Sequence, residues 1–168
     1  KFLSGHGHPK TPGIEIASGS LGQGLSVAHG IALGTRLLGF DSKTYVILGD
    51  GEIQEGQIWE AAMSAAKFKT NNLIAIIDFN KVAQDNITKD LKDIEPIEAK
   101  WKSFGWDVHR VDGHNMAEII GILEKSSHPE KPRVIIADTI KGKGVSFMEG
   151  QTAWHGVAPS KEDYEKAL

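Results

Sequence analysis

Asp50 and Asn80 are the two polar residues of this chain whose settings suit chemistry. Each lies where an apolar run breaks: Tyr45 to Leu48 ends at Gly49-Asp50-Gly51, and Leu73 to Ile77 ends at Asp78-Phe79-Asn80. Short apolar runs bounded by glycine and polar turn residues read as strands. Between them lies a helical pattern, so the stretch from Thr44 to Asn86 predicts a parallel β-α-β unit. Both breaks then fall at the carboxyl ends of their strands, the edge where open α/β sheets bind ligands. A carboxylate and an amide oxygen held across one crevice, beside glycines that let a bulky anion approach the backbone, suit a hard divalent cation bridging to phosphate. Mg2+ takes oxygen ligands at about 2.1 Å and needs only one or two protein carboxylates when phosphate and water complete its shell. Taken alone, a Gly-Asp-Gly word is more simply a tight turn, and Asn80 a strand terminator.

The surrounding words weigh against that simpler reading. Gly19 to Gly34 (GSLGQGLSVAHGIALG), Gly49 to Ala62 (GDGEIQEGQIWEAA), Ile77 to Asn86 (IDFNKVAQDN), Thr139 to Glu149 (TIKGKGVSFME) and Trp154-His155-Gly156 occur in order over nearly the whole chain. The chain resembles the transketolases, specifically the amino-terminal half that binds the diphosphate of thiamine diphosphate. The resemblance implies that Asp50 and Asn80 ligate Mg2+, or Ca2+ or Mn2+ in its place, through side chains and Val82 through its carbonyl. It also implies cofactor contacts at Gly19, Leu21, Gly49, Gly51 and His155. Asp78 would stand behind the metal ligands, although a strand-ending turn former is an equal reading of it. Glu55 would share a proton with a glutamate of a complementary carboxyl-terminal half. His8 and His155 would line the substrate channel. One departure concerns Gly5-His6-Gly7-His8-Pro9, where two histidine words that the family keeps apart overlap. His8 keeps the family's distance to the next motif, and His6 is left without a role.

Composition sets outer bounds. A chain of 168 residues with 40% hydrophobic and 24% charged side chains is enough for one α/β domain with a real core. A net charge of −3 gives no general attraction to nucleic acid or to an anionic membrane. Without cysteine there is no disulfide, thiolate metal site or cysteine nucleophile. No apolar run is long enough for a membrane span and the first residues lack a signal-peptide pattern, so the expected compartment is the cytoplasm. The chain starts with Lys1, well inside the transketolase pattern, and an upstream segment is expected to be missing from this single diphosphate-binding domain.

The remaining elements follow from local signals. Lys1 to Ser18 reads as loop. Ser20 to Gly39 predicts a helix capped by Ser20, ended by Gly39 and packed through Gly24, Ala28 and Gly30. Glu52 to Lys69 predicts one helix whose face is Ile58, Ala61, Ala62, Ala65 and Ala66. Residues 84 to 94 are polar and expected to be mobile. Pro96 opens a helix to Phe104, Trp106 to Val111 alternates as a strand, and Asn115 caps a helix from Met116 to Lys125. Arg133 to Asp138 is a strand, and Ser160 with Asp163 forms a capping box on the last helix. His109 and His114 read as packing or surface residues. Lys141 and Lys143 lack the order of a triphosphate-binding loop. The expected class is an open, mostly parallel sheet with helices on both faces.

By resemblance, the reaction is transfer of a two-carbon ketol unit from a ketose phosphate to an aldose. The activating glutamate and the sugar-phosphate arginines lie outside this sequence. The expected enzyme is therefore split, pairing this chain with a separate carboxyl-terminal subunit in a two-plus-two assembly. The alternative is a truncated, non-catalytic binding module of the same fold.

Overall fold

The computed structural model describes residues 5–168, so the first four residues of the predicted amino-terminal loop lie outside the described range. Four strands, β1 (Thr44–Gly49), β2 (Leu73–Phe79), β3 (Asp107–Asp112) and β4 (Arg133–Asp138), form one sheet in the order β1-β2-β4-β3. Every pairing is parallel. Both inner strands are rich in branched aliphatics and buried almost throughout, as expected of strands covered on both faces.

Helices α1 (Gln23–Leu37), α2 (Gly56–Lys67) and α4 (Ile97–Ser103) lie against one face. Their core joins Leu25, Ala28 and Ala32 of α1 and Ile58, Ala62 and Ala65 of α2 to Leu48, Leu73, Ala75, Ile77, Val134 and Ile136 of the sheet. Trp59, Trp101, Phe104 and Trp106 extend it, with ring centroids 4.8 to 5.2 Å apart. Helix α5 (Met116–Glu124) covers the other face at β3 and β4. There Arg133, 2% exposed, donates to the carbonyls of Ile122, Lys125 and Ser126 and pairs with Asp107. The open parallel sheet with helices on both faces is thus as the sequence predicts. Among the described residues, no helix is long and apolar enough to cross a membrane.

Four local expectations change. The predicted helix from Glu52 to Lys69 is two pieces: a 3-10 turn over Glu52–Gln54, then α2, with Glu55 extended at φ −70° and ψ 130°. Ile53 and Ile58 are both fully buried. Five residues apart, they would point about 140° from each other on a continuous helix, so the break lets both face the core. Ser20 does not cap α1 with its side chain; the cap position is Gly22, left-handed at φ 84°. Gly30 is exposed, with nothing among the described residues near enough to touch a β-carbon there, so packing falls to Gly24 and Ala28. Residues 84–94 are not simply a polar loop. An isolated bridge joins Val82 to Ile87, α3 (Thr88–Leu91) follows, and Thr88 and Ile94 are buried. The caps at Asn115 and Ser160 form as predicted, the latter on α6 (Lys161–Ala167).

Register fixes where the strands end. Gly49 pairs with Asp78, Asp78 with Ala137, Phe79 with Asp138, and Asp112 with Asp138. All four carboxyl ends therefore reach one edge within a rung of each other, which places the turns after β1, β2, β3 and β4 side by side.

Candidate functional site

The edge is built from the turn after β1. Asp50 is 1% exposed, and its backbone N–H donates to the Asp78 carbonyl at 3.3 Å, continuing the ladder by one residue. Its carboxylate turns toward the end of β2. One oxygen accepts from the Gly51 N–H at 2.7 Å, and the other accepts a short hydrogen bond from the N–H of Lys81, the residue after Asn80. Lys81 holds a left-handed backbone, φ 66°, which aims that N–H. Gly51 leaves room for this approach, since a β-carbon there would lie 3.3 Å from Ala83.

No lysine, arginine or histidine pairs with Asp50 among the described residues. Burial, with the Asp78 charge adding to it, pushes the Asp50 carboxyl up to about 6 against the opposing backbone hydrogen bonds. A buried carboxylate without a countercharge is what a bound divalent cation would correct.

Asn80 is fixed from both sides. Its Oδ1 accepts from the Val82 N–H at 2.9 Å, and its Nδ2 donates to Asp78 at 3.1 Å. Asp78 accepts a further short hydrogen bond from the Thr139 hydroxyl at the end of β4. Thr139 is packed against Gly113, where an added β-carbon would lie 2.4 Å from the threonine methyl. Asp78 therefore holds the Asn80 amide through one oxygen and the Thr139 hydroxyl through the other. The Val82 carbonyl accepts no backbone hydrogen bond among the described residues. The oxygen set of one carboxylate, one amide and one carbonyl fits a cation whose other ligands come from phosphate and water. No three acidic or histidine side chains converge on a metal position among the described residues.

The second wall is the turn before α1. Gly19 has φ 125° and lies against the His6 ring, 3.5 Å from where its β-carbon would be. Leu21 is 60% exposed, and its carbonyl accepts from Gln57. Gly22 donates to Glu52. Glu55 is exposed at the start of α2, and its carboxylate forms no capping bond there.

The structure thus brings together Asp50, Gly51, Asn80 and Val82, and ties Gly49 and Leu21 to them through neighbours. It does not join the two predicted channel histidines to that group by any hydrogen bond among the described residues. His8 is exposed and accepts from the Lys10 N–H, and His155 is exposed at the end of a 3-10 turn, Thr152–Trp154. His6, left without a role by the sequence, is the histidine set against Gly19. His114, exposed, accepts from the Ile140 N–H, and His109, half-buried, pairs with Asp107, in keeping with surface and packing residues. Arg110, missed in the sequence, forms a two-pronged ion pair with Asp138 at 2.7 and 2.8 Å and lies over the Phe79 ring. That guanidinium holds the Asp138 carboxyl below the usual carboxylate range.

Residues 3–167 match the family described as the transketolase thiamine diphosphate binding domain. The chain belongs to the transketolase family. It is 44% identical over 165 residues to an apulose-4-phosphate transketolase subunit of Actinobacillus succinogenes, covering 96% of this chain and 60% of that protein. It is also 44% identical over 160 residues to the 6-deoxy-6-sulfo-D-fructose transketolase subunit SqwG of a Clostridium species, covering 95% and 58%. Among solved structures, the transketolase of Campylobacter jejuni superposes with a TM-score of 0.85 at 36% identity, covering 94% of this chain and 26% of that one. This transketolase-family chain therefore spans about 60% of the length of the subunit relatives it matches. The expectation of a transketolase diphosphate-binding chain, made from the sequence, holds at the level of family and fold.

Proposed function

We propose that this chain is the diphosphate-binding subunit of a split transketolase, transferring a two-carbon ketol unit from a ketose phosphate to an aldose. Relatives named as transketolase subunits support a split enzyme with a separate partner. The observation that carries the reading is the buried Asp50 carboxylate, set beside the Asn80-Lys81 peptide with no cationic side chain paired to it among the described residues. Asp50, Asn80 and the Val82 carbonyl would hold Mg2+, and through it the diphosphate. Thiamine diphosphate, when bound, supplies the electron sink that two-carbon transfer requires.

The chain's own residues then bind, orient and move protons. Gly19, Gly49 and Gly51 let the backbone approach the cofactor, and Leu21 presents an apolar side chain to it. Glu55, with its carboxylate unused by the helix, shares a proton with an acid of the partner chain. His8 and His155 hold and exchange protons with substrate hydroxyl and carbonyl oxygens, each worth about 10²–10⁴-fold as an acid or base. The working form is a two-plus-two assembly in the cytoplasm.

The test is reconstitution of the chain with its partner subunit, thiamine diphosphate and Mg2+, followed by two-carbon transfer between a ketose phosphate and an aldose. Transfer that needs both chains and disappears with EDTA is the expected result. No cofactor binding by the reconstituted pair would overturn the reading in favour of a scaffold module.

A further inference from the structure

Two segments wall the candidate site, and they are far apart in sequence: the turn from Gly19 to Gly22 and the turn from Gly49 to Gly51. One side chain touches both. Glu52 accepts from the Gly22 N–H through one oxygen at 2.9 Å and from the Gly49 N–H through the other at 3.0 Å. We propose that Glu52 is a positioning residue that latches these two turns together, so that the cofactor meets a site already assembled. This rests on the thiamine diphosphate reading of the same site.

The need for a latch follows from the topology. β1 is an edge strand, and alternate N–H groups on its outer side have no ladder partner. The Asp50 N–H points to β2, so that of Gly49 points outward, where Glu52 receives it. The Gly22 N–H belongs to the first residues before α1, whose donors have no partner within the helix. Glu52 satisfies both with one carboxylate, and charge-assisted hydrogen bonds of this kind are the stronger ones.

The seat is also sterically closed. Gly22 is buried at φ 84°, and a β-carbon there would come within 2.7 Å of the Gln57 amide and 3.0 Å of the Glu55 β-carbon. Gln57 adds a bond to the Leu21 carbonyl at 3.3 Å. Glu52, three residues after Gly49 and at the start of the 3-10 turn, folds its carboxylate back over the Gly49 N–H. Because both N–H groups are occupied, they are not donors for the diphosphate. Glu52 instead acts through Leu21 and Asp50, whose positions it sets, and the ordering cost is met during folding rather than on binding.

The experiment compares Glu52→Gln and Glu52→Asp with the parent chain, each reconstituted with the partner subunit. The amide of glutamine offers one acceptor and turns a donor toward the other N–H, and aspartate keeps the charge but is one methylene too short to span both turns. Hydrogen exchange without cofactor should accelerate about tenfold or more at Gly22 and Gly49 in both variants, with the sheet protected as before. The Kd for thiamine diphosphate in saturating Mg2+ should rise about tenfold, with kcat at saturating cofactor within about twofold of the parent. Unchanged exchange at Gly22 and Gly49 in Glu52→Gln overturns the latch, and so does an Asp variant that matches the parent, since charge alone would then suffice. If the parent complex binds no thiamine diphosphate, the functional reading fails while the exchange result still judges the latch.

Discussion

Two buried titratable groups, Asp50 at the carboxyl edge of the sheet and His29 in the seam between α1 and α2, are treated in opposite ways. His29 is 7% exposed, and both ring nitrogens are hydrogen-bonded to hydroxyls, Nε2 to Ser64 at 3.0 Å and Nδ1 to Thr70 at 3.3 Å. Burial, then the nearby Arg36 charge, lowers its pKa, so the imidazole stays neutral and satisfied. Among the described residues, Asp50 is more deeply buried, accepts only from backbone N–H groups, has no cationic side chain paired with it and carries its charge at neutral pH. The seam is finished by the fold alone, whereas the edge is left short of one positive charge. An incomplete buried charge marks where a ligand belongs, and a complete one marks scaffold.

The largest effect that would break this contrast is at Asp50. Asp50→Asn should lower thiamine diphosphate affinity in Mg2+ by about 100-fold or more, measured calorimetrically, since the only carboxylate of the proposed metal set is lost. A variant that is destabilised and still binds would mean that Asp50 is scaffold after all.

His29→Ala should do the reverse. It should cost about 2–4 kcal/mol in urea unfolding through the cavity and the two unpartnered hydroxyls, with cofactor affinity in the folded complex within about twofold of the parent.

The pH response separates the two groups further. His29, with its folded pKa below the unfolded 6.5, contributes stability that is present above that value and is lost as pH falls below it. Asp50, raised from 3.8 to about 6, contributes stability below 3.8 that is lost as pH rises through about 6. Between pH 6.5 and 5 the two trends oppose in the cofactor-free chain. Asp50→Asn should therefore lose stability on acidification more steeply than the parent, and His29→Asn should flatten or invert the slope. Parallel curves for all three proteins would remove the distinction.

The smallest effects compare two helix starts. Asn115→Ala should cost about 1 kcal/mol, because its side chain caps α5 by accepting from the N–H groups of Ala117 and Glu118. Glu55→Gln should change stability by less than about 0.5 kcal/mol, because that carboxylate caps nothing, yet it should lower the activity of the reconstituted enzyme.

The strands were legible because β2 and β4 are buried on both faces and read as unbroken aliphatic runs; the bounds of β4 agree with the sequence reading to the residue. Asp50 and Asn80 were legible because strand ends in parallel sheets converge. Glu52 was not: it reads only as the first residue of the predicted helix from Glu52 to Lys69, and only the path of the chain shows the Gly22 and Gly49 N–H groups meeting its carboxylate. A carboxylate three residues after the last residue of an edge strand was the signal available. The break at Glu55 was hidden for a related reason, since helix periodicity does not reveal that Ile53 and Ile58 serve one core from two segments. His6 was passed over because its contact with Gly19 depends on how the amino-terminal loop folds back.

The absent side chain of Gly113 has reach beyond its own turn. A methyl group there would collide with Thr139, which donates to Asp78, which in turn receives the amide of Asn80. Three strand ends would feel one added carbon, and random mutagenesis should therefore record weakened cofactor binding at a residue outside the proposed metal set.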